Sequence, residues 1–175
     1  MADLTDVERA AREFVQREAG FAQVVTFDRT GEAVGRTTSA FLADDWTVEM
    51  VQRRVHRRNA QLERDPRVLV TWAGAPSPDS VNDSPWTFDL GLTIPRVVFL
   101  RGTARLLDAD ETWDVYHRHT ERLRAAGHEK APRRGRAEID ATMRGVRVTP
   151  IRIRVEGFGE GAQAFDLPTH DHSSQ

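Results

Sequence analysis

Arg53-Arg54-Val55-His56-Arg57-Arg58-Asn59-Ala60-Gln61-Leu62-Glu63-Arg64-Asp65-Pro66 is the stretch on which the reading of this chain turns. The residues before it, Trp46 to Gln52, read as a strand. Asp65-Pro66 ends a short helix, because the residue before proline avoids the α region. Between them the chain carries four arginines and a histidine in six residues, at the point where a helix begins. Backbone N–H groups are unpaired at a helix start and the helix dipole is positive there, so the position favours an anion. Cations placed there are electrostatically at odds with the helix unless an anion joins them. Arginine presents a planar fork that matches phosphate oxygens two at a time. The stretch reads as a phosphate clamp, with Arg57 and Arg58 at its centre and Arg53 and Arg54 as surface residues.

Upstream, residues 3–18 read as an amphipathic helix with Leu4, Val7, Ala11, Phe14 and Val15 on one face. Thr5 and Glu8 form a capping-box pattern at its start, and Gly20 ends it. Phe21 to Phe27 is a strand, Asp28-Arg29-Thr30-Gly31 a hairpin turn, and 33–42 the returning strand. Ala43-Asp44-Asp45 turns into the third strand, giving a three-strand meander that leads into the clamp. Downstream, Arg67 to Trp72 is a fourth strand. Residues 74–95 hold four of the eight prolines and read as a long loop. Arg96 to Leu107 is a fifth strand containing Gly102. Asp108 caps a helix over 109–125, in which Trp113, Tyr116 and Leu123 supply apolar contacts. Residues 126–136 are charged and read as exposed, and Met143 to Val155 alternates as a half-buried last strand. The expected fold is mostly β (α+β): a six-stranded antiparallel barrel with short helices at its openings, one domain over 1–160 and a polar tail over 161–175.

Composition narrows the function classes. The 175 residues contain no cysteine, which excludes disulfides, thiol nucleophiles and cysteine metal sites. The net charge of −2 argues against a general nucleic-acid or anionic-membrane binder. No run of roughly 18 apolar residues and no signal-like N-terminal core is found, so a cytoplasmic protein is expected. Lys130 is the one lysine among 25 basic residues, a bias that a GC-rich genome explains as well as function does.

The order of these elements and their motif residues resembles the pyridoxamine 5′-phosphate oxidase-like split-barrel flavoproteins, which include the flavin/deazaflavin oxidoreductases. Four segments carry the resemblance: Val24-Val25-Thr26-Phe27 with Gly31; Arg36-Thr37-Thr38-Ser39; His56-Arg57-Arg58 through Leu62, Asp65, Pro66 and Val68; and Arg101-Gly102-Thr103-Ala104. Val148-Thr149-Pro150-Ile151-Arg152-Ile153 is similar to the family's last barrel strand. The resemblance implies a split barrel, assembled as a homodimer with FMN, or alternatively coenzyme F420, in a groove between subunits. It puts the cofactor's phosphate on Arg36, Arg57 and Arg58, and lays Thr37, Thr38 and Ser39 along the ring. Gln52 stands where the family often has a small hydroxyl residue, and joins the candidate cofactor contacts. Arg58 replaces a frequent lysine, and Val97 replaces a glutamine of the authentic oxidase. The oxidase's C-terminal Arg-x-His segment is absent from Phe158-Gly159-Glu160-Gly161 and the tail, so a different oxidoreductase acting on a small organic substrate is expected.

Other features read more plainly. Trp72 belongs to an apolar strand and reads as core; Trp86 lies in the 74–95 loop; Asp89 reads as a loop residue. His117 with Glu121, and His170-Asp171-His172, fall short of the three or four converging ligands a metal needs. Gly157-Phe158-Gly159-Glu160-Gly161 lacks a dinucleotide-binding context. No nucleophile or acid–base pair stands out, which suits chemistry carried by a cofactor. Two rival readings remain: a flavin-binding carrier or redox sensor without turnover, and a nucleic-acid-binding barrel, against which the acidic net charge counts.

Overall fold

The computed structural model describes residues 4–19, 21–74, 95–158 and 164–167. The chain opens with α1 (Leu4–Glu13) and a π-helical turn (Phe14–Glu18), followed by β1 (Ala22–Phe27), β2 (Ala33–Thr38), β3 (Phe41–Leu42) and β4 (Val48–Arg53). Then come α2 (Arg57–Arg64), β5 (Arg67–Ala73), β6 (Val97–Leu106), α3 (Ala109–Ala125), α4 (Arg136–Thr142), β7 (Met143–Glu156) and β8 (Ala164–Leu167). All strands join one antiparallel sheet in the order β2-β1-β5-β6-β7-β4-β3, with β8 added to β7.

This topology forces curvature. Its two ends, β2 and β3, are separated in the chain only by Ser39 and Ala40. Laid flat, seven strands about 4.8 Å apart would put those ends roughly 29 Å from each other, far beyond the roughly 10 Å a two-residue link can span. The sheet therefore curls round on itself, and its inward residues, among them Val24, Met50, Val70, Leu100 and Ile153, form the core. Trp72 is fully buried there.

Local chemistry sets the pieces. Val7, Ala11, Phe14 and Val15 bury one face of the first helix against the core. Trp46 is buried at φ 66°, and its indole N–H donates to Glu8 at 3.1 Å, tying the β3–β4 turn to α1. The Asp28 carboxylate accepts from the backbone N–H groups of Thr30 (2.8 Å) and Glu32 (3.0 Å), and Gly31 takes φ 84°, which shapes the β1–β2 hairpin. Asp108 and Glu111 form a reciprocal capping box that starts α3.

Several expectations change. Among the described residues eight strands form where six were expected. The 33–42 strand is two, interrupted at Ser39-Ala40 where the sheet closes on itself. The three-strand meander forms only in part: β1 pairs with β2 and β3 with β4 (Phe41 opposite Glu49, Leu42 opposite Val48), but along its length β4 runs against β7, Val48 opposite Val148 and Arg53 opposite Met143. α4 was missed, because Ile139 is its one buried residue and the preceding arginines read as solvated. Ala164–Leu167 lies in the segment read as tail, yet pairs with Ile153–Glu156 of β7 and buries Leu167. The first helix ends in a π-helical turn, with the Ala19 N–H donating to the Phe14 carbonyl at 2.9 Å. Among the described residues, no helix is long and apolar enough to cross a membrane.

Candidate functional site: an arginine-lined cavity at the start of α2

β4 delivers the chain to α2 through the turn at Arg54-Val55. His56 occupies the N-cap position in extended conformation, its side chain makes no capping bond, and the first turn of α2 holds no acidic residue. The helix start is thus left without the carboxylate or hydroxyl that commonly satisfies it. α2 is held from below by Leu62, buried in the core, and by Gln61, whose side chain accepts from the Thr26 hydroxyl at 3.0 Å. Arg58, Gln61 and Leu62 share that inward face at helical spacing.

Arg58 is the unusual member. Only 5% of it is exposed, and among the described residues its Nε and Nη1 atoms have no hydrogen-bond partner. Burial, and then the like charge of Arg36, lower its pKa from the ordinary arginine value. Arg36 reaches this place from β2, where it pairs across the sheet with Val24. Together Arg36, Thr37, His56, Arg57 and Arg58 line a cavity of about 670 Å³. A buried cation without an acceptor, next to a second cation, is costly on its own. Such a cavity fits an anion with several oxygens, which supplies the missing acceptors and offsets both charges.

Of the residues expected at a cofactor site, Arg36, Thr37, Arg57 and Arg58 thus share one cavity. Gln52 does not line it. It is buried at the end of β4, where its Nε2 donates to the Asn59 side chain at 2.6 Å and its Oε1 has no partner. Asn59 in turn donates to the Arg53 and Arg54 carbonyls at 3.1 and 2.8 Å, fixing the turn that aims the arginines. Ser39 lines a different groove, and Thr38 stands half-buried between the two. Arg53 and Arg54 are exposed, as read. His117 and Glu121 are exposed, and Glu121 meets Arg133 at 3.5 Å. Trp86, Asp89, His170-Asp171-His172 and Gly159-Glu160-Gly161 lie outside the described residues.

A second polar centre escaped the sequence reading. Glu49, buried on β4, receives Arg118 at 2.7 Å, Arg147 at 3.0 Å and His119 Nε2 at 3.3 Å. Burial raises the Glu49 pKa, but the bonds from His119, Arg118 and Arg147 outweigh it and hold the value at about 2. Burial lowers the His119 pKa despite Glu49, so the ring is neutral at pH 7 and donates from Nε2. It stacks on Phe41 with ring centroids 3.9 Å apart. These partners are 69, 70 and 98 residues from Glu49 in the chain, beyond any local pattern.

No family model and no curated protein matches the chain. Solved structures do. A heme binding protein from Mycobacterium smegmatis aligns over 97% of this chain and 59% of its own, with TM-score 0.64 and 17% identity. A Listeria innocua protein named for pyridoxamine 5′-phosphate oxidase aligns over 87% and 98%, with TM-score 0.56 and 16% identity. An F420 reductase aligns over 81% and 94%, with TM-score 0.54 and 13% identity. The fold is the split barrel that these proteins share. At such identities the likeness extends to the split-barrel architecture and leaves activity open. The set nevertheless contains oxidoreductases and cofactor binders by name, all on the barrel found here.

Proposed function

We propose that this split-barrel protein binds FMN, or alternatively coenzyme F420, with the cofactor's phosphate in the cavity at the start of α2, and acts as an oxidoreductase on a small organic substrate. The observation that carries the reading is Arg58, buried with two unpartnered guanidinium nitrogens beside Arg36. Arg36, Arg57 and Arg58 would grip the phosphate, aided by the uncapped N–H groups of α2. Thr37 and Thr38 continue from the clamp along the exposed edge of β2, a span of roughly 7 Å that lies along one side of a fused ring system, while Ser39 already lines the neighbouring groove. Their hydroxyl and backbone groups would face its polar edge. Gln52 acts through Asn59, holding the arginine turn in place. The bound ring would supply the hydride or electron transfer, and the chain's own residues bind and orient it. A homodimer with the cofactor groove at the subunit interface belongs to the same proposal, supported by the fold it shares with its structural neighbours.

The test compares ligands that differ in one group. Titration with FMN and with riboflavin, followed by flavin fluorescence, should show FMN binding about 100-fold more tightly, the worth of a multiply bonded phosphate. F420 is titrated in parallel to distinguish the two cofactors. Equal affinity for FMN and riboflavin, with no F420 binding, refutes the clamp. Tight binding without reduction of any acceptor in steady state would turn the reading from enzyme to carrier or redox sensor.

A further inference from the structure

The geometry points to a second binding site, for an apolar carboxylic acid, in the groove between the π-helical turn, the β2–β3 link and the C-terminal half of α3. The groove encloses about 560 Å³, within the range of small-molecule sites. Val15, Phe41, Leu42 and Leu123 form apolar walls, and Phe21, 67% exposed, stands at its side. Apolar surface of this kind gains by covering an aliphatic or aromatic body.

Charge selects the head group. Arg17 and Arg122 both line the groove, and among the described residues no aspartate or glutamate does. Among the described residues neither guanidinium has a carboxylate or hydrogen-bond partner, whereas their neighbours on the same elements do. Arg12 pairs with Glu8 at 2.5 Å, Arg118 with Glu49 at 2.7 Å, and Arg124 donates to the Glu129 carbonyl at 2.6 Å. Gln16, also on the wall, is committed to Asp44 at 3.1 Å. Two permanently charged, solvent-exposed arginines at the rim of an apolar groove match a ligand with an anionic head and a greasy body. A neutral apolar molecule would leave them unanswered, and a small polar anion would leave the walls unused.

The groove is separate from the arginine cavity at α2. Arg36 and Thr37 line that cavity, while Ser39 and Ala40, further along the same chain segment, line this one. The inference therefore stands on its own observations and does not require a bound flavin.

Calorimetric titration of the full chain with octanoate and octan-1-ol, and with 1-naphthoate and 1-naphthol, separates head group from body. At least one acid should bind about tenfold or more tightly than its alcohol, and which acid does so tells an aliphatic from an aromatic ligand. The double variant Arg17→Gln/Arg122→Gln should lose that preference while keeping its melting temperature, since neither arginine holds a structural ion pair. Raising the salt concentration should erode the preference in the unmodified protein as well, an independent readout of the same charges. The inference is overturned if acid and alcohol bind equally, if neither acid binds at about 1 mM, or if the preference survives the double substitution or high salt undiminished.

Discussion

Replacing Arg58 by Met separates a residue kept for a ligand from one kept for the fold, because the two roles predict opposite signs. Methionine keeps the apolar stem of the side chain and removes the guanidinium. In the unliganded protein Arg58 is 5% exposed, two of its guanidinium nitrogens have no acceptor among the described residues, and Arg36 lies beside it with the same charge. An unsatisfied buried polar group costs about 1–3 kcal/mol, and removing it with a shape-conserving apolar side chain recovers part of that. We expect Arg58→Met to stabilise the unliganded protein by about 1–2 kcal/mol. With about 2.1 cal/mol/K of unfolding entropy per residue, that is a rise in Tm of roughly 3–5 °C for a chain of this length. FMN binding should weaken at the same time by about 2–4 kcal/mol, or roughly 30- to 1,000-fold, the cost of removing a charged donor from a buried anion. Differential scanning calorimetry at fixed protein concentration and flavin fluorescence titration read the two quantities. A fall in Tm with unchanged FMN affinity would refute the reasoning, for Arg58 would then be an ordinary structural residue.

Glu49 predicts an acid limit. Its folded pKa of about 2 lies below the ordinary 4.5, so the stability it contributes is fully present above pH 4.5 and is lost as pH falls through 2. The shift corresponds to about 2–3 kcal/mol once the solvent-facing side of Arg118 is discounted. Urea unfolding between pH 6 and pH 2.5 should show this loss, and Glu49→Gln should flatten the slope; an unchanged slope would exclude Glu49 as its source. Gly102→Ala tests the bulge between Arg101 and Gly102. An added Cβ would sit 2.4 Å from the Thr149 carbonyl oxygen and 2.6 Å from Val148 Cγ1, so the variant should lose about 2–3 kcal/mol or move β6 away from β7. A neutral substitution there would contradict the close approach of the two strands.

How much of this was legible depended on how far each cause reached along the chain. α3 was read at its observed bounds, because Asp108, its apolar face and its length are all local. The Asp28–Gly31 turn was legible for the same reason, since a carboxylate two residues from its N–H partner needs no tertiary information. α2 and its arginines were read in place, and one cavity gathers Arg36 with Arg57 and Arg58. The pairing of β4 with β7 was not legible: Met50 and Val146 are almost a hundred residues apart, and nothing in either strand names its partner. β8 was lost because four residues with one buried side chain carry too little pattern. Gln52 was expected at the cofactor itself, but a side chain at the end of a strand can turn towards the next helix, and here it turns to Asn59. The Glu49 centre needed three distant elements to meet.

The curled sheet carries a mechanical consequence. Its circle is completed by two residues of chain, Ser39 and Ala40, where no ladder of hydrogen bonds links β2 to β3. β2 therefore has one zipped flank, towards β1, and one bare flank, and it bears Arg36 and Thr37. A slit of this kind parts without tearing the rest of the barrel, so amide exchange in β2 should run ahead of β5 and β6, which are clasped on both sides. The half of the arginine cavity carried by β2 thus rides on an edge strand, while Arg58 is anchored to a helix seated on the core, and a guest entering there meets one yielding jaw and one fixed.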